Sequence, residues 1–354
     1  ALSGGDYYVF DFSQFTQTGI FSVTSGNETS SSFMIADNIY NDLFFSILNY
    51  FAISRCGEQI YDKDWGHKAC HTGKTRIYGT NQYIEASGGW HDAGDDDLAA
   101  GSQAATTHYL VLANEICGNQ TDQTLVNFED LYVEMNTPDG IPDFVQQIKH
   151  GAINLLSGYR AAGHSFAGII ANREGRNITG DWASQTDKLF FDSRMKPNQK
   201  TMTHSGVNDD RWVFTNKDTG LEYLVSAALA ASSRSLRGFD DQLADECLKT
   251  AGKTWDFEQN HEPVIQRNAY VPGNTKVQEI IATAELLYTT GEEKYASHML
   301  TLLPAIKENI GNTAWCVARV SDRLNDKRFN EDFMEALKSY KITLDSTLAT
   351  NPFG

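Results

Sequence analysis

A chain of 354 residues, 41% hydrophobic and 21% charged, is long enough to bury one large core or two ordinary ones. Its formal charge of −17 excludes the basic face that nucleic-acid phosphates and anionic membrane surfaces require, and it suits an uncharged substrate. No run of about 18 apolar residues occurs, so no transmembrane helix is predicted.

In chain order, residues 6–32 read as β, with apolar runs Tyr7–Phe12 and Ile20–Val23 separated by a polar turn. From about residue 33 the pattern turns helical, the first helix falling near 34–54 and the next near 98–116. A third starts at Ile141, with Phe144, Val145, Ile148, Ala152, Leu155 and Leu156 on one face, Asp139 placed to cap it and Pro142 in its first turn. The same spacing recurs at Leu221–Leu236 and Val277–Leu287, and further helices are predicted near 241–257, 293–308 and 330–348. About eight helices result, with two long loops, 57–97 and 163–218, rich in Gly, Asp, Trp and His. Long loops on a helical scaffold are where function concentrates. Ala1-Leu-Ser-Gly-Gly carries no basic-plus-apolar leader, so a signal peptide is either removed or was never present. The ending Asn351-Pro-Phe-Gly reads as the middle of a longer chain.

The segment Ser87-Gly-Gly-Trp-His-Asp-Ala-Gly-Asp-Asp-Asp97 carries the most chemistry. Its glycines allow a tight turn, after which Asp92 and Asp95 can face one space. Two neighbouring carboxylates suit metal binding, proton sharing, or holding and deprotonating a water; such a loop is also an ordinary solvated helix start. Cys56, Cys70, His71 and His91 form a donor set suited to tetrahedral zinc, with His67 as the alternative ligand, although loop Cys and His residues also scatter without a metal. Cys117, Cys247 and Cys316 read as buried free thiols. Trp90, Trp182 and Trp212 are expected to stack on sugar, with Trp65 and Tyr83 as further loop aromatics. Trp255 and Trp315 fall in helical contexts and read as core, and His108 and His150 as satisfied structural histidines.

Gly-Gly-Trp-His-Asp-Ala-Gly-Asp resembles the Asp-Ala-Gly-Asp signature of glycoside hydrolase family 9. Asp139-Gly-Ile-Pro-Asp-Phe-Val-Gln-Gln-Ile-Lys-His150 is similar to that family's next helix start, and Phe33-Met-Ile, Tyr50-Phe and Arg55-Cys-Gly to its first barrel helix. The resemblance implies a mainly α fold: an (α/α)6 barrel over 33–354, incomplete at its C-terminal side, after residues 1–32 as the end of an immunoglobulin-like β domain. It implies inverting hydrolysis of a β-1,4-linked glycan of endoglucanase type, with Asp95 as general base and Asp92 as its partner in holding the water. The family's acid is a Glu in a late Asn-Glu setting; here Asn114-Glu115 and Asn330-Glu331 fall in the wrong places, so the acid is expected outside this chain and the fragment alone is expected to be inactive. A subset of the family carries zinc on a pattern matched by Cys56, Cys70, His71 and His91. Four protein ligands make that zinc structural, and calcium is a second metal the family allows. The partners implied are the β-glycan and the remainder of the barrel, and the location is secreted or extracytoplasmic. The alternatives are an exo-β-glucosaminidase of the same family, a non-catalytic carbohydrate-binding protein, and a hydrolase with catalytic zinc.

Overall fold

The structure, a computed structural model, describes residues 10–37, 39–70, 74–86, 88–91, 97–118, 120–171, 189–192, 194–207, 211–266 and 271–350. For residues 41, 42, 97, 169–171, 190, 191, 211 and 212 the description is of the backbone.

The described chain opens with short strands. Gly19–Phe21 pairs antiparallel with Phe33–Ile35, and Thr24–Ser25 with Glu28–Thr29. Phe33-Met-Ile, expected at the head of a helix, is therefore a strand. Alternation decides it: Met34 faces solvent while Phe33 packs on Phe12 at 5.4 Å between ring centroids.

Ten α-helices follow among the described residues: α1 Asn41–Ile53, α2 Ala100–Cys117, α3 Asp143–Ala162, α4 Thr219–Leu236, α5 Asp241–Gln259, α6 Thr275–Thr290, α7 Glu293–Thr301, α8 Leu303–Glu308, α9 Ile310–Val320 and α10 Lys327–Thr350. Their starts are written locally. Asp218, Asp240 and Asn274 accept from Leu221, Leu243 and Val277 N–H at 2.8, 3.1 and 3.1 Å, each satisfying one of the free donors of a first turn. Asp139 does not cap α3 as expected. Its carboxylate takes Ile141 N–H (2.9 Å) and Gln146 Nε2 (2.8 Å), fastening the preceding loop, and Pro142 itself stands at the N-cap. The single helix expected at 293–308 is broken at Leu302 by Pro304, whose ring removes a donor and clashes with the preceding turn.

Helices alternate between two rows. In one, α2 packs on α4, α4 on α6 and α6 on α9; in the other, α1 packs on α3 and α3 on α5, with α4 against both α3 and α5. This two-layered succession is the (α/α)6 barrel arrangement. α4 is buried nearly all round, which explains its Ala- and Ser-rich face: Ala227, Ala228, Ala230, Ala231 and Ser232 are fully buried and let neighbours approach closely. At the two ends of the array, α1 leaves Leu43, Ile47 and Tyr50 exposed and α10 leaves Ile342, Leu344 and Leu348 exposed. No described helix is long and apolar enough to cross a membrane.

The row α2–α4–α6–α9 is tied by ions as well as by apolar contact. Glu285 of α6, 1% exposed, accepts from Arg234 of α4 (2.8 Å) and Arg319 of α9 (2.6 Å) and lies 3.2 Å from His108 Nε2 of α2. Glu115 of α2 accepts from the same two arginines at 2.6 and 2.7 Å. Burial opposes ionisation of Glu285, but His108 and the two guanidiniums outweigh it and hold its carboxyl at about 2. The guanidiniums of Arg234, Arg319 and Arg323 stand 4.8, 4.3 and 4.6 Å from the Tyr288 ring centre. Four helices thus meet on one ionic plug.

Among the other expectations, Cys247 and Cys316 are buried as read, whereas Cys117, in the last turn of α2, is exposed. Trp255 is core, with its indole N–H donated to Thr283 Oγ1 at 2.9 Å. Trp315 is not: it is 36% exposed on α9.

Candidate active site and metal centre

The segment entering the acidic loop is fixed atom by atom. Gly88 and Gly89 have φ of 89° and 84°, a region side chains avoid, and a Cβ on Gly89 would lie 2.9 Å from Gln103 Oε1. Gln103, buried on α2, donates Nε2–H to Trp90 O and accepts Trp90 N–H, both at 2.9 Å, so its amide pairs with a single backbone residue. The Gly89 carbonyl accepts from Cys56 N–H at 2.8 Å and from His150 Nε2 at 2.7 Å, and Ser54 O accepts His91 N–H at 2.9 Å. Burial, seconded by Arg55, lowers His150 to about 4, so it serves as a neutral donor.

Trp90 is the peg of this construction and not a sugar platform. It is 3% exposed, lies edge-on to His150 and Phe51 at 5.3 and 6.1 Å, and donates its indole N–H to Gln147 Oε1 at 3.3 Å. Gly151 of α3 makes room for it, since a Cβ there would meet the indole at 2.7 Å. With both faces covered, the ring has nothing to offer a pyranose. Arg55, fully buried, pairs with Glu58 and reaches Gln147 Oε1 at 3.3 Å, binding the end of α1 to α3 beneath the same loop. Burial would raise the Glu58 carboxyl, but Arg55 outweighs it and holds it below the ordinary range.

These bonds bring three segments together. Gly57 N–H donates to Cys70 O at 2.9 Å, and Arg55 bridges to Trp90, so Cys56, Cys70 and His91 converge. Their donor atoms all lie within 4.8 Å of one another, and Cys70 Sγ is 2.9 Å from His91 Nε2. Among the described residues this is the one group of three or more metal-ligating side chains so placed. Cys56 and Cys70 are buried, form no disulfide, and sit in a small apolar cluster with Ala86, Leu98, Phe166 and Val213. Ligands about 2.3 Å from a tetrahedral zinc stand roughly 3.8 Å apart, so this donor set fits the ion. His67 is not among these converging donors: its Nε2 lies 2.8 Å from Ile53 O and its Nδ1 2.9 Å from Lys68 O, two carbonyl acceptors of which a neutral ring donates to one. His71 lies outside the described residues, as do Asp92, Asp95 and Trp182.

Asp97–Ala99 is the edge of a five-stranded sheet whose order continues Gly168–Ala171, Arg211–Phe214, Lys74–Ile77 and Tyr83–Glu85. The strand Asp97–Ala99 runs straight into α2, and five residues of sequence, 92–96, separate it from His91 of the Cys/His cluster. The register sets Asp97 against Ile170 and Ile170 against Trp212, so the Trp212 backbone stands two strands, roughly 10 Å, from Asp97. Both long loops expected to carry function contribute to this sheet.

Sequence reasoning missed Gln103, Gln147, Arg55 and Glu58. A signal was present for Gln103, a polar residue on the inward face of α2, but its partner is a backbone segment that only the tertiary fold supplies.

A model of the family described as glycosyl hydrolase family 9 matches residues 40–345. Endoglucanase D of Acetivibrio thermocellus is 24% identical over 306 residues, covering 81% of this chain and 44% of that protein. A cellodextrinase of Butyrivibrio fibrisolvens is 36% identical over 98 residues, 27% of this chain and 18% of that protein. The crystal structure of family 9 endoglucanase J30 superposes with a TM-score of 0.67 at 20% identity, covering 94% of this chain and 61% of that one; a triple mutant of J30 described as Zn-binding matches equally. The chain spans less than half the length of these curated relatives. The family match covers most of the chain and the fold agrees with it: this chain belongs to glycosyl hydrolase family 9.

Proposed function

We propose that this chain forms part of the catalytic domain of an inverting hydrolase of β-1,4-linked glycan, endoglucanase-like in action, with Asp95 as general base and Asp92 as its partner in holding the water. The observation that supports this reading is the bonding of the two segments that flank the Asp92 and Asp95 positions in the sequence, 88–91 and 97–99, each tied to the surrounding fold. A base must stand within hydrogen-bond reach of the water it deprotonates, and such a frame supplies the constancy. Asp95 takes the proton of a water that attacks the anomeric carbon from the face opposite the departing oxygen. A carboxylic acid roughly 6.5–9.5 Å across the bond gives its proton to that oxygen, and the β-linkage becomes an α-hemiacetal. Relatives named as endoglucanases support the glucan. We assign the acid to the remainder of the domain, whose helices would cover the apolar faces of α1 and α10. A polymeric substrate cannot cross a membrane, which puts the enzyme's work outside the cytoplasm.

Zinc belongs to the same reading. Cys56, Cys70 and His91, with His71 as fourth ligand, would close a tetrahedral shell with no open position, so the ion would be a staple. When bound it neutralises two buried thiolates. His91 would then be held from its ring as well as its backbone, immediately before Asp92. Trp212 and Trp182 remain proposed substrate contacts; among the described residues no group of three or more carboxylates lies within metal-binding reach.

The test is release of reducing ends by the complete protein from soluble β-glucan and from chitosan oligomers. The account expects β-glucan to be cleaved internally, with chain length falling early. Preference for chitosan oligomers cut from one end would replace the glucanase reading with a glucosaminidase, and hydrolysis of neither would leave a binding protein.

A further inference from the structure

Glu222 is a buried carboxylate in the first turn of α4, 1% exposed, and both its oxygens are engaged. Tyr159 of α3 donates its hydroxyl to Oε2 at 2.7 Å, and Ser165 donates its backbone N–H to Oε1 at 2.9 Å. Ser165, itself buried, begins a segment that reaches both parts of the site. Phe166 packs in the apolar cluster that holds Cys56 and Cys70. Ala167 donates its N–H to Phe214 O at 2.9 Å and accepts that of Ala100, the first residue of α2, at 3.2 Å. Gly168 then enters the strand whose register sets it against Ala99, with Ile170 against Asp97, two residues after Asp95 in the sequence. Residues 165–167 therefore connect a single carboxylate on α4 to the strand that Asp95 precedes.

Glu222 also faces a cavity of about 570 Å³, lined with it by Tyr159, His164, Lys217, Lys253 and Glu258. Among the described residues these are the titratable groups that α3, the α3–α4 connection and α5 present to it, with His261 beyond Glu258 at 3.6 Å and Asp218 engaged in capping α4. Lys217 is bonded to Glu258 Oε1 at 2.9 Å. We propose that Glu222 is a positioning residue for the hydrolysis, setting through Ser165 the strand that Asp95 precedes. Neutral, the carboxyl donates a hydrogen bond to the Tyr159 oxygen and still accepts Ser165 N–H. Ionised, it regains hydration by turning into the cavity, and the Ser165 bond is lost. Burial, seconded by Glu258, outweighs Tyr159, Ser165 and Lys217 and raises Glu222 from the ordinary 4.5 to about 7. A folded-state value above the unfolded one gives stability that is complete below about 4.5 and is lost as the pH rises through about 7. The proposal rests on the assignment of Asp95 as base.

Steady-state hydrolysis of β-glucan by the complete protein, from about pH 5.5 to about pH 8, tests this. Glu222→Ala leaves Ser165 N–H without its acceptor. At about pH 5.5 it should lower kcat about 10- to 100-fold with KM within about twofold, the effect of a misplaced reacting group. Glu222→Gln keeps an acceptor for Ser165 and a donor for Tyr159 but cannot ionise. Its kcat should match the parent's at about pH 5.5 and exceed it several-fold at about pH 8. Taking the ratio of the two at each pH cancels the titration of the catalytic groups, which both proteins share. The parent's melting temperature should equal that of Glu222→Gln at the acid end and fall a few degrees below it at the alkaline end. A folded Glu222→Ala protein with the parent's kcat, a glutamine variant as slow as the alanine variant at about pH 5.5, or a ratio that stays level with pH would overturn the proposal. Should the alanine variant not fold, the glutamine ratio decides alone. The two readings fail separately. Asp95→Asn at the parental rate, beside an alanine variant that glutamine rescues, would remove the base and leave the positioning role. Asp95→Asn inactive beside a fully active Glu222→Ala would do the reverse.

Discussion

Asp95→Asn is expected to lower β-glucan hydrolysis by the complete protein about 10²- to 10⁴-fold while leaving the fold and the affinity for cello-oligosaccharide intact. The amide keeps the size and hydrogen bonding of the side chain but cannot take a proton from water, and the loss of one general base is of this order. Asp92→Asn should lower the rate comparably or less, because it removes help in placing the water without removing the base. The two variants together separate function from framework: Gln103→Ala, which would free Trp90 from its clasp, should lower stability as well as rate. If Asp95→Asn and Asp92→Asn both turn over every β-glycan at near-parental rates, the base lies elsewhere.

The second large effect concerns the metal. The protein should hold about one zinc per chain through dialysis, and Cys70→Ser should lose it. Structural zinc binding is coupled to folding, worth on the order of 10–16 kcal/mol in isolated zinc-finger peptides, and a larger domain with its own core forfeits part of that. The melting temperature should therefore fall by several degrees, and activity should fall as a consequence, through the His91–Asp92 linkage. Cys117→Ser, an exposed thiol far along α2, should change neither zinc content nor melting temperature. Full activity and full stability in metal-free protein would remove the site. A chelator that abolishes hydrolysis at constant melting temperature would make the zinc catalytic and force an open position into its shell.

What the sequence revealed and what it hid follow one physical division. Most helices, and the meeting of Cys56, Cys70 and His91, were legible in the sequence: apolar residues recur three and four apart, and the three donors bracket one loop, whereas Asp92, Asp95 and His71 lie outside the described residues. Trp90 was misread as a sugar platform because a tryptophan beside two glycines looks the same whether its ring meets solvent or a helix. The partners that bury it, Gln147 and His150, lie 57 and 60 residues away. Trp315 was misread in the opposite sense: helical spacing marks it as core, but α9 turns that position toward a cavity between α2, α4, α6 and α9. α9 falls between the helices expected at 293–308 and 330–348, although Trp315 was read in a helical context, and Pro304 divides the first of these into α7 and α8. The ionic plug was invisible to such patterns. Glu285 meets Arg319 34 residues later and Arg234 51 residues earlier, and no spacing rule links them. His108 and His150 were rightly read as structural, since polar residues on apolar helix faces need a buried partner, and each found one.

The central claim, that a water activated beside Asp92 and Asp95 displaces the glycan from the opposite face, is tested most directly by the first-formed product. Proton NMR of cellohexaose hydrolysis, recorded before mutarotation, distinguishes the two anomers of the newly released reducing end. The account predicts the α-anomer alone at early times, relaxing afterwards to the equilibrium mixture. Early appearance of the β-anomer would mean retention through a covalent intermediate and would contradict the assignment of Asp95 as a base acting on water.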